Sequence, residues 1–280
     1  MSELSKLNEV LLRVVAGRRK TAGGREPNLL PELLKAWQRN THDLPAGRIA
    51  SRLQACQKRR GMLFCVRSSL LGLRAVWWPQ GVVHGQLVCV LSSRIGRNLA
   101  SKPLWMLALR QVVTGLDPRR QILLTAPRTT CHLWVSQLAH EGIQPLVVVD
   151  SFAGKIESWL ERCFVRPSRC QAPIQAIVSP PLHEESPPSI GPVLDACLLS
   201  LASTVFVLGL RSHGGLIRLL LSRVSLPDPP SVRLVTVTGQ VDKRLTKELI
   251  GQGATLCNHT LIESIDRGGS TAFGCRPCKI

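Results

Sequence analysis

A chain of 280 residues with a hydrophobic fraction of 44% has the length and apolar material for one large domain, or for a domain with an appendage. Its 36 Lys and Arg against 18 Asp and Glu leave a formal charge of +18, which favours a polyanionic partner or, more blandly, is only a basic solubility profile. A membrane-spanning helix is not expected: the nearest approach to an 18-residue apolar run, Val193 to Leu210, contains Asp195, Ser200, Ser203 and Thr204.

Residues 1–85 form a basic, mainly helical region with fifteen Lys and Arg against five acids. The opening MSELSKLNEVLLRVV carries charges and no cleavable apolar core, so a cytoplasmic protein with its 10 Cys reduced is expected, and no membrane partner. Leu4, Leu7, Val10, Leu11 and Val14 recur at helical spacing. A second helix fits Asn28 as cap and Pro31 in the first turn, with Leu33, Leu34 and Trp37 on one face. A third fits Ala46 to Arg60, with Ile49, Leu53 and Cys56 inward. Met62 to Val66 and Leu73 to Trp78 read as short strands. The clusters Arg18-Arg19-Lys20 and Lys58-Arg59-Arg60 fall at helix ends, where they either complement the helix dipole or touch phosphates. Trp77-Trp78 is a core pair or a stacking platform for bases.

Residues 86–240 read as α/β, a Rossmann-like, mostly parallel sheet flanked by helices. Leu87–Leu91 is a strand, followed by a helix from Pro103 to about Val113 with Leu104, Leu107, Ala108 and Val112 inward. Gln121–Thr125 is the next strand. Thr130 can cap a helix from His132 to Glu141, and Pro145–Val149 is a third strand with Asp150 at its carboxyl end. There Asp150 would cap the following helix or orient a ribose hydroxyl. After a helix around Lys155 to Arg162, a Pro- and Ser-rich insertion at about 165–190 reads as a loop. The pattern then resumes with a helix from Val193 to Ala202, a central strand Thr204–Leu208, a helix Leu216–Arg223 and a strand Val232–Val237. Residues 241–280 read as a tail holding a basic helix near Val241 to Ile250.

Two strand–loop–helix joints carry the chemistry. The first is Ser92-Ser93-Arg94-Ile95-Gly96 and the second Arg211-Ser212-His213-Gly214-Gly215. A helix N-terminus offers free N–H groups to an anion, Gly lets backbone approach it, and Arg adds a charge-assisted contact. Ser93, Arg94, Gly96, Arg211, Ser212, His213, Gly214 and Gly215 are the expected ligand-binding residues. Arg94 and Arg211 would neutralise phosphate, and Ser93 and Ser212 would donate hydrogen bonds. In the tail, Cys257, His259, Cys275 and Cys278 supply four N/S donors, enough for a tetrahedral zinc; the alternative is free thiols on a loose end. No Ser-His-Asp order, H-E-x-x-H, or phosphate-loop motif occurs, and catalytic residues are not assigned.

These segments resemble the Rossmann-like domain of the DNA-processing (Smf/DprA) family, within the superfamily that includes the lysine-decarboxylase-like phosphoribohydrolases. Leu91-Ser92-Ser93-Arg94 stands where that family has a strand ending in Gly-Ser-Arg. Val205-Phe206-Val207-Leu208 followed by Ser212-His213-Gly214-Gly215-Leu216 stands for its second strand and Ser-Gly joint. Val235-Thr236-Val237 closing in Thr238-Gly239 stands for its strand ending in Pro-Gly. The chain departs from the family at Ser92, in place of Gly, and in the short Thr125–Thr130 loop. It departs from the phosphoribohydrolases in having no carboxylate on the helix after Gly214-Gly215. The resemblance implies binding of a nucleotide or single-stranded nucleic acid at the carboxyl edge of the sheet, in DNA processing. The alternatives are a nucleotide hydrolase cleaving an N-glycosidic bond, with Asp150 or Glu184 supplying a carboxylate, and an inert scaffold of the same fold. The ligand and the oligomeric state are left open.

Overall fold

The structure is a computed structural model that describes residues 3–17, 28–40, 48–68, 70–78, 85–93, 103–152, 154–165, 174–182, 193–226, 229–235 and 243–257. In chain order its elements begin with α1 (Glu3–Gly17), α2 (Leu30–Asn40), α3 (Arg48–Lys58), β1 (Met62–Ser68), β2 (Gly72–Trp78) and β3 (Gln86–Ser92). They continue with α4 (Pro103–Thr114), β4 (Gln121–Thr125), α5 (His132–Glu141), β5 (Leu146–Ser151), α6 (Ile156–Leu160) and β6 (Ile174–Val178). The last are α7 (Val193–Leu201), β7 (Thr204–Gly209), α8 (Gly215–Ser222), β8 (Ser231–Val235), α9 (Lys243–Gly251) and β9 (Thr255–Cys257). The fold is α/β and Rossmann-like. It divides into two compact units that do not follow chain order: Met1–Val83 with Val147–Ser189 and Ser225–Asp228, and His84–Leu146 with Ile190–Val224 and Pro229–Ile280.

The first unit packs three amphipathic helices on a small mixed sheet. Leu7, Val10 and Leu11 of α1, Leu33 and Trp37 of α2, and Ile49 and Leu53 of α3 share one core with Leu63, Ala75 and Trp77. The apolar residues recur every three or four positions along each helix, so each buries one stripe. Asn28 caps α2 as its position suggests: its Oδ1 accepts from Leu30 N–H at 3.1 Å, and also from Leu63 N–H at 2.9 Å, which ties the cap to β1. β1 and β2 are antiparallel, β2 pairs antiparallel with β6, and β6 runs parallel to β5. Trp77 and Trp78 are both buried, Trp77 with its ring centroid 4.8 Å from that of Phe164, so the pair is core and not a surface platform for bases.

β6 corrects the sequence reading, which took this span for a loop. Ile174 to Val178 is a short apolar run inside a Pro- and Ser-rich stretch, and local composition hides it. Ser179 then fixes the strand end on β2. Its Oγ accepts from Ala75 N–H at 2.9 Å, and its carbonyl accepts from the buried Arg74 Nη1 at 2.9 Å. Arg74 is therefore spent inside the protein and not on an anionic partner. Beyond α6 the helix continues as a π-helical turn, Glu161–Val165, and Asp150 forms an ion pair with Arg162 at 3.4 Å, so it is not the helix cap: the residue preceding α6 is Lys155.

The second unit holds an all-parallel sheet in the order β4-β3-β7-β8-β9. Every residue of β7 is buried, as is β3 after its first residue, which is the signature of strands covered on both faces. Val88, Val90, Phe206 and Leu208 meet α4 and α5 in one core. As the chain enters β3, Gln86 N–H donates to Arg120 carbonyl at 2.7 Å, and Gly85 comes so close that a Cβ there would stand 2.9 Å from that oxygen.

Three expectations shift here. On α4 the inward residues include Trp105, Ala108, Leu109 and Val112, whereas Leu104 is 41% exposed. The cap of α5 is Cys131, without a side-chain bond, and not Thr130. Residues 255–257 are no tail but the edge strand β9, paired parallel with β8. Among the described residues no helix is long and apolar enough to cross a membrane.

Candidate functional site

From β3 the chain crosses to β4 on one side, and from β7 it crosses to β8 and then β9 on the other. β3 and β7 are parallel neighbours, with Val88 opposite Thr204 and Ser92 opposite Gly209. The crossovers thus diverge between these two strands, and their carboxyl ends lie at a topological switch point, where open α/β sheets take their ligands.

Both sequence-marked joints leave the sheet there, and hydrogen bonds link them. A register shift between Leu91 and Ser92 turns the end of β3. Ser93 N–H donates to Gly209 carbonyl at 2.8 Å, and Ser93 Oγ accepts from Arg211 N–H at 3.2 Å. Behind them, Ser92 Oγ accepts from the indole of the fully buried Trp105 at 3.1 Å and donates to Ser93 carbonyl at 3.0 Å. Sequence inspection did not single out Trp105; its cue was an indole two residues after Pro103.

Ser93 is buried, whereas Arg211, Ser212 and His213 are exposed. Gly214 N–H closes a turn on Arg211 carbonyl at 3.1 Å, and Gly214, in extended conformation at φ −81°, precedes α8 with no side-chain cap. The first N–H groups of α8 therefore have no side-chain cap, the arrangement that suits an anion. Local sterics do not demand glycine: a Cβ on Gly214 would lie 3.5 Å from Ser93 Oγ, an ordinary contact. Any need for Gly214 comes from what approaches it. No ion pair of Arg211 occurs among the described residues. Arg94 and Gly96 lie outside the described residues.

The next strand end adds a residue pair that the sequence did not assign to ligand binding. Thr125, buried at the end of β4, places Oγ1 3.3 Å from His132 Nδ1 in the first turn of α5. Partial burial lowers the pKa of His132, so its imidazole is neutral at pH 7. The loop between them is tight, with Thr129 Oγ1 donating to Ala126 carbonyl at 2.7 Å and the exposed Arg128 at φ +69°.

Of the acids proposed for a hydrolase, Asp150 belongs to the other unit with Arg162, and Glu184 lies outside the described residues. Among the acids of the second unit is Asp195, in the first turn of α7, whose carboxyl is pushed up to about 6 by burial. Its field adds to burial in raising the Cys89 and Cys131 thiols, which stay protonated and unreactive. Of the expected zinc donors, Cys257 is half-buried in β9, and His259, Cys275 and Cys278 lie outside the described residues. Among the described residues no three His, Cys, Asp or Glu gather as a metal site.

No family model matches the sequence, and no curated protein matches it. Solved structures do. The chain is similar to DNA processing protein A (DprA) from Streptococcus pneumoniae at 12% identity and a TM-score of 0.41, over 90% of this chain and 92% of that one. It is similar to DNA processing protein A from Helicobacter pylori, described for its single-stranded DNA binding mode, at 14% identity and a TM-score of 0.37, over 74% and 87%. It is also similar to the molybdenum cofactor binding protein from the phototrophic bacterium Rippkaea orientalis, at 13% identity and a TM-score of 0.33, over 66% and 98%. At such identities and scores these likenesses carry nothing about function, and the site stands on its own geometry.

Proposed function

We propose that this protein binds a phosphate-bearing ligand, a nucleotide or single-stranded nucleic acid, at the crevice between the carboxyl ends of β3 and β7. The observation that carries this reading is the bond from Arg211 N–H to Ser93 Oγ, which joins two loops far apart in sequence on one rim. Arg211 supplies positive charge there, the open N–H groups of α8 supply directed donors, and the Ser212 hydroxyl supplies another. A formal charge of +18 brings a polyanion to that rim by long-range attraction. The expected setting is DNA processing.

The test is fluorescence anisotropy with a short single-stranded oligonucleotide across a salt series, alongside a thermal-shift panel of nucleotides. Binding should weaken steeply with salt. Arg211→Ala should lower affinity by about tenfold and flatten the logarithmic salt slope by about one charge. Binding indifferent to salt and to Arg211→Ala would remove the proposal.

A further inference from the structure

The first unit holds two thiols that its fold brings to one place. Cys56 follows Ile49 and Leu53 at helical spacing, so it ends the inward stripe of α3, and it is partly open to water. Cys163 is buried in the π-helical turn after α6. α3 packs against that turn, and Cys56 lies against the same core that contains Cys163 and Phe164. Trp77 marks the meeting point. Its ring centroid is 4.8 Å from that of Phe164, and a Cβ on Gly61 would stand 2.7 Å from its Cη2 and 3.0 Å from the Cys56 carbonyl oxygen. A negative charge on Cys56 reaches the Cys163 thiol and adds to burial in raising it.

Helical segments in contact run about 8–10 Å apart, and with Cα atoms about 2.3 Å from each axis, facing residues stand about 4–6 Å apart. A disulfide spans that separation. Other described cysteines lack this combination: Cys65, Cys89, Cys131 and Cys197 are buried, and Cys257 belongs to the second unit. α3 itself carries Arg48, Arg52 and Lys58 and no acid. Burial holds the Cys56 thiol above its ordinary value, and Arg59 and Arg52 pull it part of the way back. Only a small fraction is thiolate at neutral pH, so its oxidation is slow there.

We propose that Cys56 and Cys163 are a peroxide-oxidised pair that closes to a disulfide, fastening α3 to the π-helical turn. The Cys56 thiolate attacks one oxygen of hydrogen peroxide, the O–O bond breaks, and the departing hydroxide takes up a proton to become water. Cys56 is then a sulfenic acid. The Cys163 sulfur attacks the sulfur of that acid, the S–O bond breaks, and the hydroxide leaves as water with the Cys163 proton. Two thiols and one peroxide thus become one disulfide and two waters, with sulfur oxidised and peroxide oxygen reduced. The bond joins the two stretches of the first unit, Met1–Val83 and Val147–Ser189, across a long loop.

The test is a peptide map of the full chain after treatment with hydrogen peroxide, alkylation and tryptic digestion without reduction. Cleavage after Arg52, Lys58, Arg162 and Arg169 isolates the two cysteines in LQACQK and CFVRPSR. These peptides should appear joined, lighter than their sum by two hydrogens, and dithiothreitol should part them. The rate of joining should rise about tenfold per pH unit near neutrality, as thiolate replaces thiol. Cys56→Ser should leave Cys163 unoxidised at the same dose, and Cys163→Ser should leave Cys56 as a sulfenic acid that dimedone traps. The wild-type map decides the matter without relying on the folding of either variant. Cys56 joined to any other thiol, both cysteines untouched in the wild type, a rate indifferent to pH, or Cys163 oxidised equally in Cys56→Ser would each overturn the proposal.

Discussion

The carboxyl ends of β5 and β7 treat charge in opposite ways. At the end of β5, Asp150 and Arg162 face each other at 3.4 Å, both about a third exposed, and the pair answers its own electrostatics. At the end of β7, Arg211 is exposed and pairs with no acid among the described residues, while its backbone N–H is held by Ser93. An arginine at the first position trims a local repulsion and contributes up to about 1 kcal/mol. At the second it is a cation held in place by its backbone with its side chain exposed. Arginine count alone cannot tell these apart. Arg74 and Arg223 make the same point: both are buried, and Arg223 spends its guanidinium on the carbonyls of Leu220 and Gln252 at 2.8 Å each.

The contrast depends first on a rigid support for the β3 end. Trp105→Ala removes a fully buried indole and its bond to Ser92, and should cost about 3–5 kcal/mol in urea denaturation, with oligonucleotide affinity falling too. A loss confined to stability would separate the rim from its support.

Asp195 sharpens the picture of the second unit through pH. Its folded pKa lies near 6, above the ordinary carboxylate value of 3.8, so between these values the native state binds more protons than the unfolded chain. Stability conferred by the protonated form is therefore complete below pH 4, lost as pH rises toward 6 and flat beyond. The size is on the order of 3 kcal/mol. Asp195→Asn should abolish that slope in melting curves taken from pH 4 to 7.

Arg162→Ala and Arg211→Ala form the direct pair. The first should cost less than about 1 kcal/mol and leave anion binding unchanged; the second should change binding and leave the melting temperature almost where it was. Equal effects of the two on binding would erase the distinction. The smallest expected effect is at Ile143, a β-branched residue at φ +53° and exposed to water. Ile143→Gly should stabilise by up to about 1 kcal/mol through relief of that backbone, seen as a rise in melting temperature of a few degrees in dilute protein.

Local pattern was enough for the elements whose own residues announce them. Leu7, Val10 and Leu11 fix α1 because a helix repeats every 3.6 residues, Asn28 marks the start of α2 by its side-chain acceptor, and the continuous apolar run of β7 declares a strand covered on both faces. The ends of β3 and β7, from which the two joints leave, were legible for the same reason. What local pattern could not carry was partnership. β6 is hidden by its Pro- and Ser-rich surroundings and β9 is only three residues long, and they are strands because β5, β2 and β8 offer them backbone groups to pair with. Which face of α4 turns inward was decided by Trp105 reaching Ser92, and the union of Ser93 with Arg211 by two strands lying side by side although 118 residues separate the bonded pair. Periodicity is written along the chain, but pairing and burial depend on what arrives from elsewhere, and only the folded molecule brings those residues together.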